Sequence, residues 1–181
     1  MARLRFAFAC SPYDRIQALL DGSVVPEGMD LNFIPLEVEE IFWRQLRHGE
    51  FDGCEMSLSS YTMARSRGDD RFIAIPVFPS RFFRHSSVYV NTSKGIAAPQ
   101  ELRGKILGVP EYQMTAAVWL RGLFQHEYGV HPGEIRWRTG GLEIPGREEK
   151  IQLQLPADVD CCVHASAPSP LRTARWLSCL V

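Results

Sequence analysis

The residues with the clearest capacity for chemistry lie in one short segment, residues 79–86, which reads Pro-Ser-Arg-Phe-Phe-Arg-His-Ser. Arg81 and Arg84 can each bind a carboxylate through two parallel hydrogen bonds. His85 can transfer a proton near neutral pH. With two phenylalanines between the arginines, the segment suits an aromatic acid. The alternative is a loop whose phenylalanines pack and whose arginines are solvated.

A second segment places polar residues where a strand pattern gives way to a long helix pattern. Glu111 and Tyr112 stand at this point. The backbone N–H groups at the helix start can bind an anion, and they belong to Gln113, Met114 and Thr115. Glu111 is a poor neighbour for an anion unless it carries a proton. Simple helix capping is the alternative explanation of the segment.

Two more junctions of this kind occur earlier in the chain. Ser59, Ser60 and Tyr61 follow a short strand pattern and offer hydroxyl groups that can hydrogen-bond a carboxylate or a phenol. Tyr13 lies just after the first strand. Capping by serines is again the alternative. Because ligands in parallel α/β sheets bind beyond the carboxyl ends of strands, we expect the three junctions to face one cleft.

Strand and helix patterns alternate along the chain, which predicts an α/β fold with a mostly parallel sheet. The predicted strands are Leu4–Cys10, Met29–Pro35, Asp52–Met56, Phe72–Phe78, Ser86–Asn91, Lys105–Val109 and Glu134–Arg138. A Gly/Pro loop is predicted over Thr139–Pro145.

The helix patterns have recognisable ends. Ser11 is predicted to cap the first helix and Gly22 to end it. The second helix begins near Glu37 and ends at Gly49, with acids in its first turn and bases in its last, as the helix dipole favours. The longest helix is predicted over Gln113–Tyr128. Its expected buried face consists of Ala116, Trp119, Leu120, Leu123 and Phe124.

Composition excludes several classes of protein. The chain has 181 residues, 45% of them apolar, and a net charge near −1, which excludes a disordered chain or a strongly basic nucleic-acid binder. Dinucleotide-binding and P-loop motifs are absent, and so is an apolar run long enough for a membrane span. The apolar stretch that ends at Cys10 is too short for a secretion signal, so we expect a cytoplasmic protein without nucleic-acid or membrane partners. No set of residues demands a metal.

The last 21 residues differ from the rest. Residues 161–181 contain no Asp, Glu or Gly and are rich in Cys, Ser, Ala, Pro and Arg. The chain uses far more Arg than Lys, as a GC-rich coding sequence would, and such a sequence read out of phase yields this composition. We therefore expect a frameshifted tail, with a native C-terminal extension as the alternative.

Several stretches together resemble the 4,5-dihydroxyphthalate decarboxylase family. The resemblance covers roughly residues 4–158. It is carried by residues 26–31, 55–61, 73–86, 108–117 and 139–141, of which 73–86 is the most specific. The family is related to type II periplasmic solute-binding proteins, which implies two α/β lobes. Residues 1–92 would form the N-terminal part of lobe one and residues 93–160 an incomplete lobe two, because members of the family are longer than this chain.

The resemblance implies loss of CO2 from 4,5-dihydroxyphthalate, or a similar aromatic acid, to give 3,4-dihydroxybenzoate. This chemistry needs no cofactor. Arg81 and Arg84 would bind the carboxylates, and His85 would transfer the proton, with Glu111 or Tyr112 as substitutes. The remaining residues would bind and orient the substrate; they are Tyr13, Ser59, Ser60, Tyr61, Gln113, Met114 and Thr115.

Two alternatives stay open. One is a binding protein that captures an aromatic carboxylate for a transporter, since one fold serves several functions. The other is a fragment without function. The sequence leaves a homo-oligomer open as well.

Overall fold

The computed structural model describes residues 3–140, 147–163 and 179–180 of the chain. The chain divides into two compact units, Met1–Arg81 (unit 1) and Phe82–Val181 (unit 2). Both units combine helices with a small sheet that is mostly parallel, which confirms the α/β class. The predicted lobe boundary at residue 92 stays a prediction.

Unit 1 is built on three parallel strands with one strand at the centre. The strands are β1 (Leu4–Cys10), β2 (Met29–Pro35) and β3 (Gly53–Cys54), in the order β2-β1-β3. Its helices are a 3-10 turn (Asp14–Ile16), α1 (Gln17–Leu20), α2 (Val38–His48) and α3 (Leu58–Ser66). Ala9, Ile41 and Phe51 form its buried apolar cluster.

Helix α2 matches its prediction closely. Acids occupy its first turn and Arg47 and His48 its last. Gly49 ends it in the left-handed conformation, with φ of 62°, which glycine adopts without steric cost. The amide of Gln45 exchanges hydrogen bonds with the backbone of Phe51, donating to its carbonyl (3.1 Å) and accepting from its N–H (2.9 Å). This pair positions the chain that enters β3.

Two predictions for unit 1 are wrong. Ser11 does not cap a helix; the 3-10 turn begins after Tyr13, and the Ser11 hydroxyl donates to the carbonyl of Leu36 at 2.9 Å. In the described part of the chain, residues 72–78 are not assigned to a strand. Their large apolar side chains are mostly exposed, among them Ile73 and Phe78. A short apolar run does not by itself form a strand where no neighbouring strand supplies backbone hydrogen bonds.

Unit 2 contains a five-stranded sheet and the longest helix. The strands are β4 (Val88–Tyr89), β5 (Ile106–Val109), β6 (Arg136–Thr139), β7 (Cys161–Val163) and β8 (Cys179–Leu180), in the order β4-β8-β5-β6-β7. All neighbouring pairs are parallel except β5 with β8. Helix α4 spans Thr115–Tyr128, and 3-10 turns span His85–Ser87, Thr92–Lys94, Pro99–Leu102 and Pro132–Glu134.

Helix α4 ends at Gly129 as predicted, and its expected buried face is confirmed at Leu120 and Phe124 but not at Trp119. The buried residues are Ala117, Leu120 and Phe124, whereas Trp119 is 57% exposed. The face that packs on the sheet therefore begins at the junction residue Gln113, which is itself buried.

Some predictions fall on residues that the structure does not describe. The predicted loop over residues 139–145 is described only at its start, and the anomalous tail only at residues 161–163 and 179–180. In the part of the chain that is described, no helix is long and apolar enough to cross a membrane. The same residues contain no group of three or more His, Cys, Asp or Glu placed to hold a metal ion.

Candidate active site

In unit 1, a buried carboxylate joins the carboxyl ends of two neighbouring strands. Glu55 follows β3 and is 8% exposed. One of its oxygens accepts the backbone N–H of Ser11 at 2.6 Å, and the other accepts the hydroxyl of Tyr13 at 3.0 Å. Because β1 and β3 run parallel, Glu55 fixes both chain ends at one edge of the sheet. This is the edge at which α/β folds bind ligands.

Tyr13 is held in its protonated state at this edge. Burial and the negative charge of Glu55 raise the pKa of Tyr13 to about 12, although Ser80 opposes the shift. The guanidinium of Arg15 lies over the Tyr13 ring, 4.1 Å from its centre. Tyr13 is therefore a fixed hydrogen-bond donor at neutral pH.

We predict that Glu55→Gln lowers the pKa of Tyr13 from about 12 toward the ordinary value of 10.0, because it removes the nearby negative charge. Since the folded-state pKa is raised, the contribution of Tyr13 to stability is present at neutral pH and is lost as the pH rises toward 12. A tyrosinate absorbance titration measures the change, with the Tyr13→Phe variant of each protein subtracted to isolate this residue. An identical midpoint in both proteins would contradict the coupling.

The other polar residues predicted in unit 1 lie on α3 or next to it. The hydroxyl of Ser59 is 3.1 Å from that of Ser57, and Ser60 is fully buried. The hydroxyl of Tyr61 accepts the backbone N–H of Ala74 at 3.3 Å and so ties α3 to the segment that leads to Arg81.

Arg81 itself is exposed, and its guanidinium lies 5.7 Å from the centre of the Phe78 ring. Cation–π contacts of this kind hold a guanidinium plane in place without using its N–H groups. Within unit 1, the Phe78 ring thus orients the Arg81 side chain.

In unit 2, the junction between β5 and α4 carries a buried ion network. Glu111 is 1% exposed, and one of its oxygens accepts hydrogen bonds from Lys150 Nζ at 2.5 Å and Arg147 Nε at 2.7 Å. Its other oxygen accepts the side-chain amide of Gln113 at 2.9 Å. Burial disfavours the charged form of Glu111, but the two cations favour it more strongly, so its pKa lies below the ordinary value. Glu111 is an ionised carboxylate at neutral pH.

A second carboxylate approaches the same junction from the other side. The two oxygens of Glu149 accept the backbone N–H of Tyr112 at 2.5 Å and that of Gln113 at 3.3 Å. Burial raises the pKa of Glu149, the two backbone N–H groups oppose the rise, and the charge of Glu111 adds to it. The N–H of Gln113, predicted to orient a ligand, thus holds a carboxylate of the chain itself.

Tyr112 lies between a cation and an indole. The guanidinium of Arg121 lies 3.7 Å from the centre of the Tyr112 ring and donates a hydrogen bond to the backbone carbonyl of Tyr112 at 2.6 Å. The Trp137 ring packs edge-on, 5.4 Å between centres and at 83°. Burial raises the pKa of Tyr112, and Arg121 opposes this. The last two predicted residues here, Met114 and Thr115, stand at the cap and first position of α4 and are half-buried.

His85 and Arg84 lie elsewhere in unit 2. The Arg84 guanidinium lies 5.4 Å from the centre of the Phe82 ring. His85 lines a largely apolar pocket with Leu120, Phe124 and Tyr128 of α4. The structure brings Glu111, Tyr112 and Gln113 together ahead of the first residue of α4, and it places His85 beside a later part of that helix.

The sequence patterns do not identify several residues of these clusters as functional. Glu55 belongs to a segment whose serines are the predicted site residues, and Arg121 lies within a predicted helix. Arg147, Glu149 and Lys150 form a charged run, which ordinarily signals a solvated surface. Their only sequence signal is the Gly/Pro loop just before them.

Comparison with known proteins bears on what these clusters do. No protein-family model matches the chain. A curated 4,5-dihydroxyphthalate decarboxylase of Comamonas testosteroni is 50% identical over 159 residues, which are 88% of this chain and 48% of the relative. One of Pseudomonas putida is 46% identical over 159 residues, 88% of this chain and 62% of the relative. The chain thus spans about half of the length of the first relative and somewhat more of the second.

Proposed function

We propose that the chain acts in the decarboxylation of 4,5-dihydroxyphthalate or a closely similar aromatic acid. Over its aligned residues, the chain belongs to the 4,5-dihydroxyphthalate decarboxylase family. The observation that carries the proposal is the 50% identity over 159 residues to a decarboxylase of that name. The enzyme would be a carboxy-lyase that works without a cofactor and forms 3,4-dihydroxybenzoate. The family resemblance also supports two lobes of the type II periplasmic-binding-protein kind. A cytoplasmic location is a further part of the proposal.

The reaction sets clear demands on the protein. The two carboxylates of the substrate call for cations or N–H donors. One ring hydroxyl lies para to the departing carboxylate, and removal of its proton pushes electron density onto the carbon that bears this carboxylate. An acid then protonates that carbon, and CO2 leaves. A base, an acid and anion-binding groups therefore suffice.

Each demand has a proposed residue. Arg81 and Arg84 would bind the carboxylates, and His85 would accept the phenolic proton. Tyr13 would contact the substrate through its hydroxyl oxygen, which can accept a hydrogen bond while its one proton is donated to Glu55 at 3.0 Å. The low pKa of Glu111 and its two cationic partners favour a positioning role over proton transfer.

The test is a direct assay of the purified chain. We expect the chain, incubated with 4,5-dihydroxyphthalate and no added metal or cofactor, to release CO2 and form 3,4-dihydroxybenzoate, detected by liquid chromatography. The full-length Comamonas testosteroni relative serves as the positive control. Turnover by the relative but none by the chain would overturn the proposal for this chain.

We predict that His85→Ala lowers turnover by a factor of roughly 100 or more, the range in which general acid–base groups contribute. The matched control is His126→Ala, because His126 is exposed on α4 of the same unit. Binding of the substrate, followed by equilibrium dialysis, should remain in both variants. Unchanged turnover in His85→Ala would exclude this residue as the proton carrier.

A further inference from the structure

A pocket in unit 2 has room for one substituted benzene ring. It lies between α4 and residues 85–102 and has a volume of about 190 Å³. An apolar cavity of about 150 Å³ engineered into another protein stays dry and binds benzene, so the pocket is large enough for a single ring with substituents. Six of its lining residues carry the argument; they are His85, Leu102, Leu120, Leu123, Phe124 and Tyr128.

The interior of the pocket suits a ring, and its rim suits hydroxyl groups. Leu102, Leu120 and Phe124 are almost fully buried and form an apolar floor. His85 and Tyr128 are exposed, and they are the described lining residues whose side chains can form hydrogen bonds. An apolar interior with a few polar groups is the usual composition of a small-molecule site.

The charge of the lining decides which part of a ligand can enter. None of the described residues that line the pocket is Asp, Glu, Lys or Arg. A carboxylate placed among them would lose its water without gaining a cation, which is costly. A hydroxyl group costs less to bury and can hydrogen-bond the imidazole of His85, which makes no hydrogen bond with another described residue.

We propose that this pocket binds the hydroxylated edge of the aromatic ring of the substrate, while the carboxylates stay outside at its mouth. The inference rests on the proposed function for the identity of the ligand. In this orientation the phenol that loses its proton lies beside His85, the proposed base. Arg84 precedes His85 and is not one of the described lining residues, so it can bind a carboxylate that stays outside. Leu120, Leu123 and Phe124 then determine specificity, because they limit the size of the ring that enters.

The test uses catechol, which has the ring and both hydroxyls of 4,5-dihydroxyphthalate and neither carboxylate. We expect catechol, added to the purified chain under nitrogen, to shift the imidazole NMR signal of His85, which is assigned by its absence from His85→Ala. His126 and His131 do not line the pocket, and their signals should stay in place. Phthalate, which has the carboxylates without the hydroxyls, should leave the His85 signal unmoved.

Two substitutions on α4 locate the bound ring. Leu123→Trp fills the pocket from its half-buried wall and should abolish the shift that catechol causes at His85. Val118→Trp adds the same indole at an exposed position of the same helix outside the pocket and should leave that shift unchanged. Circular dichroism establishes that both variants are folded. If Leu123→Trp does not fold, Ala98→Leu fills the pocket from the segment opposite α4.

The outcomes separate this inference from the proposed function. If catechol leaves the His85 signal unmoved, or moves it equally in Leu123→Trp, the inference is overturned whether or not the chain releases CO2. If phthalate shifts the signal as strongly as catechol does, carboxylates enter the pocket and the orientation is overturned. If catechol behaves as expected but the chain forms no 3,4-dihydroxybenzoate while the full-length relative does, the proposed function fails and the pocket stands as a site for a hydroxylated ring.

Discussion

Replacing Glu111 by alanine is expected to lower the free energy of unfolding by about 3 kcal/mol at neutral pH, the range found when one partner of a buried ion pair is removed. Glu111 and Lys150 side chains are 1% and 3% exposed, and their charged atoms are 2.5 Å apart. Without Glu111, the ammonium of Lys150 would remain buried without its carboxylate. A urea titration followed by circular dichroism measures the change.

The loss should depend on pH in a defined direction. The pKa of Glu111 is below its ordinary value of 4.5, so the folded chain binds fewer protons at this site than the unfolded chain does. The stabilisation is therefore present above pH 4.5 and is lost as the pH falls through the lowered pKa. The difference in stability between the unmodified chain and Glu111→Ala should shrink accordingly on acidification.

Two further variants make this expectation decisive. Glu148→Ala removes an exposed charge next to the network and should change stability by less than about 0.5 kcal/mol. The triple variant Glu111→Leu, Arg147→Met and Lys150→Met removes all three charges and should recover most of the loss, because apolar residues often replace a buried ion pair or triad at little cost. Equal losses in Glu111→Ala and Glu148→Ala would contradict a stabilising network.

The elements that sequence predicted well are those with a local signal. Strand β2 begins and ends at the predicted residues, Met29 and Pro35. Helix α2 ends at Gly49, and helix α4 ends at Gly129. Apolar periodicity and a left-handed glycine depend only on neighbouring residues, so one sequence suffices to find them.

The elements that sequence predicted wrongly depend on distant partners. Serine is a residue type that often caps helices, but the backbone N–H of Ser11 donates to Glu55, which is 44 residues away. Residues 72–78 form a short apolar run of the kind that predicts a strand, yet no strand is assigned to them in the described structure. In both cases the local structure depends on a hydrogen-bond partner that is distant in the sequence, and the local sequence does not identify that partner.

The candidate site shows the same division. The junction at Glu111 and Tyr112 was recognised because strand–turn–helix patterns are local. The charges that determine its chemistry come from Arg147, Glu149 and Lys150, which are 36 to 39 residues further along the chain. The sequence alone predicts that the four charged residues 147–150 are exposed to solvent. Only the fold shows that two of them bind the buried carboxylate of Glu111.

Replacing Trp137 by alanine is the second change with a large expected effect, a loss of about 4 kcal/mol in the free energy of unfolding. Trp137 is fully buried in β6, and its ring packs edge-on against Tyr112. Its indole N–H donates to the carbonyl of Pro132 at 2.8 Å. Alanine would leave a cavity beneath the junction and an acceptor without its donor. Thermal and urea unfolding followed by circular dichroism measure the loss.

Trp119 supplies the control, because it is 57% exposed on α4 of the same unit. Sequence periodicity predicted Trp119 to be buried, so Trp119→Ala would be costly if that pattern described the packing. The structure predicts instead a change of less than about 1 kcal/mol, as for a surface substitution. Trp137→Phe should fall between the two, since it keeps an aromatic ring and loses the hydrogen bond to Pro132. A larger loss for Trp119→Ala than for Trp137→Ala would contradict the observed orientation of α4 and, with it, the placement of the Glu111 junction above the sheet.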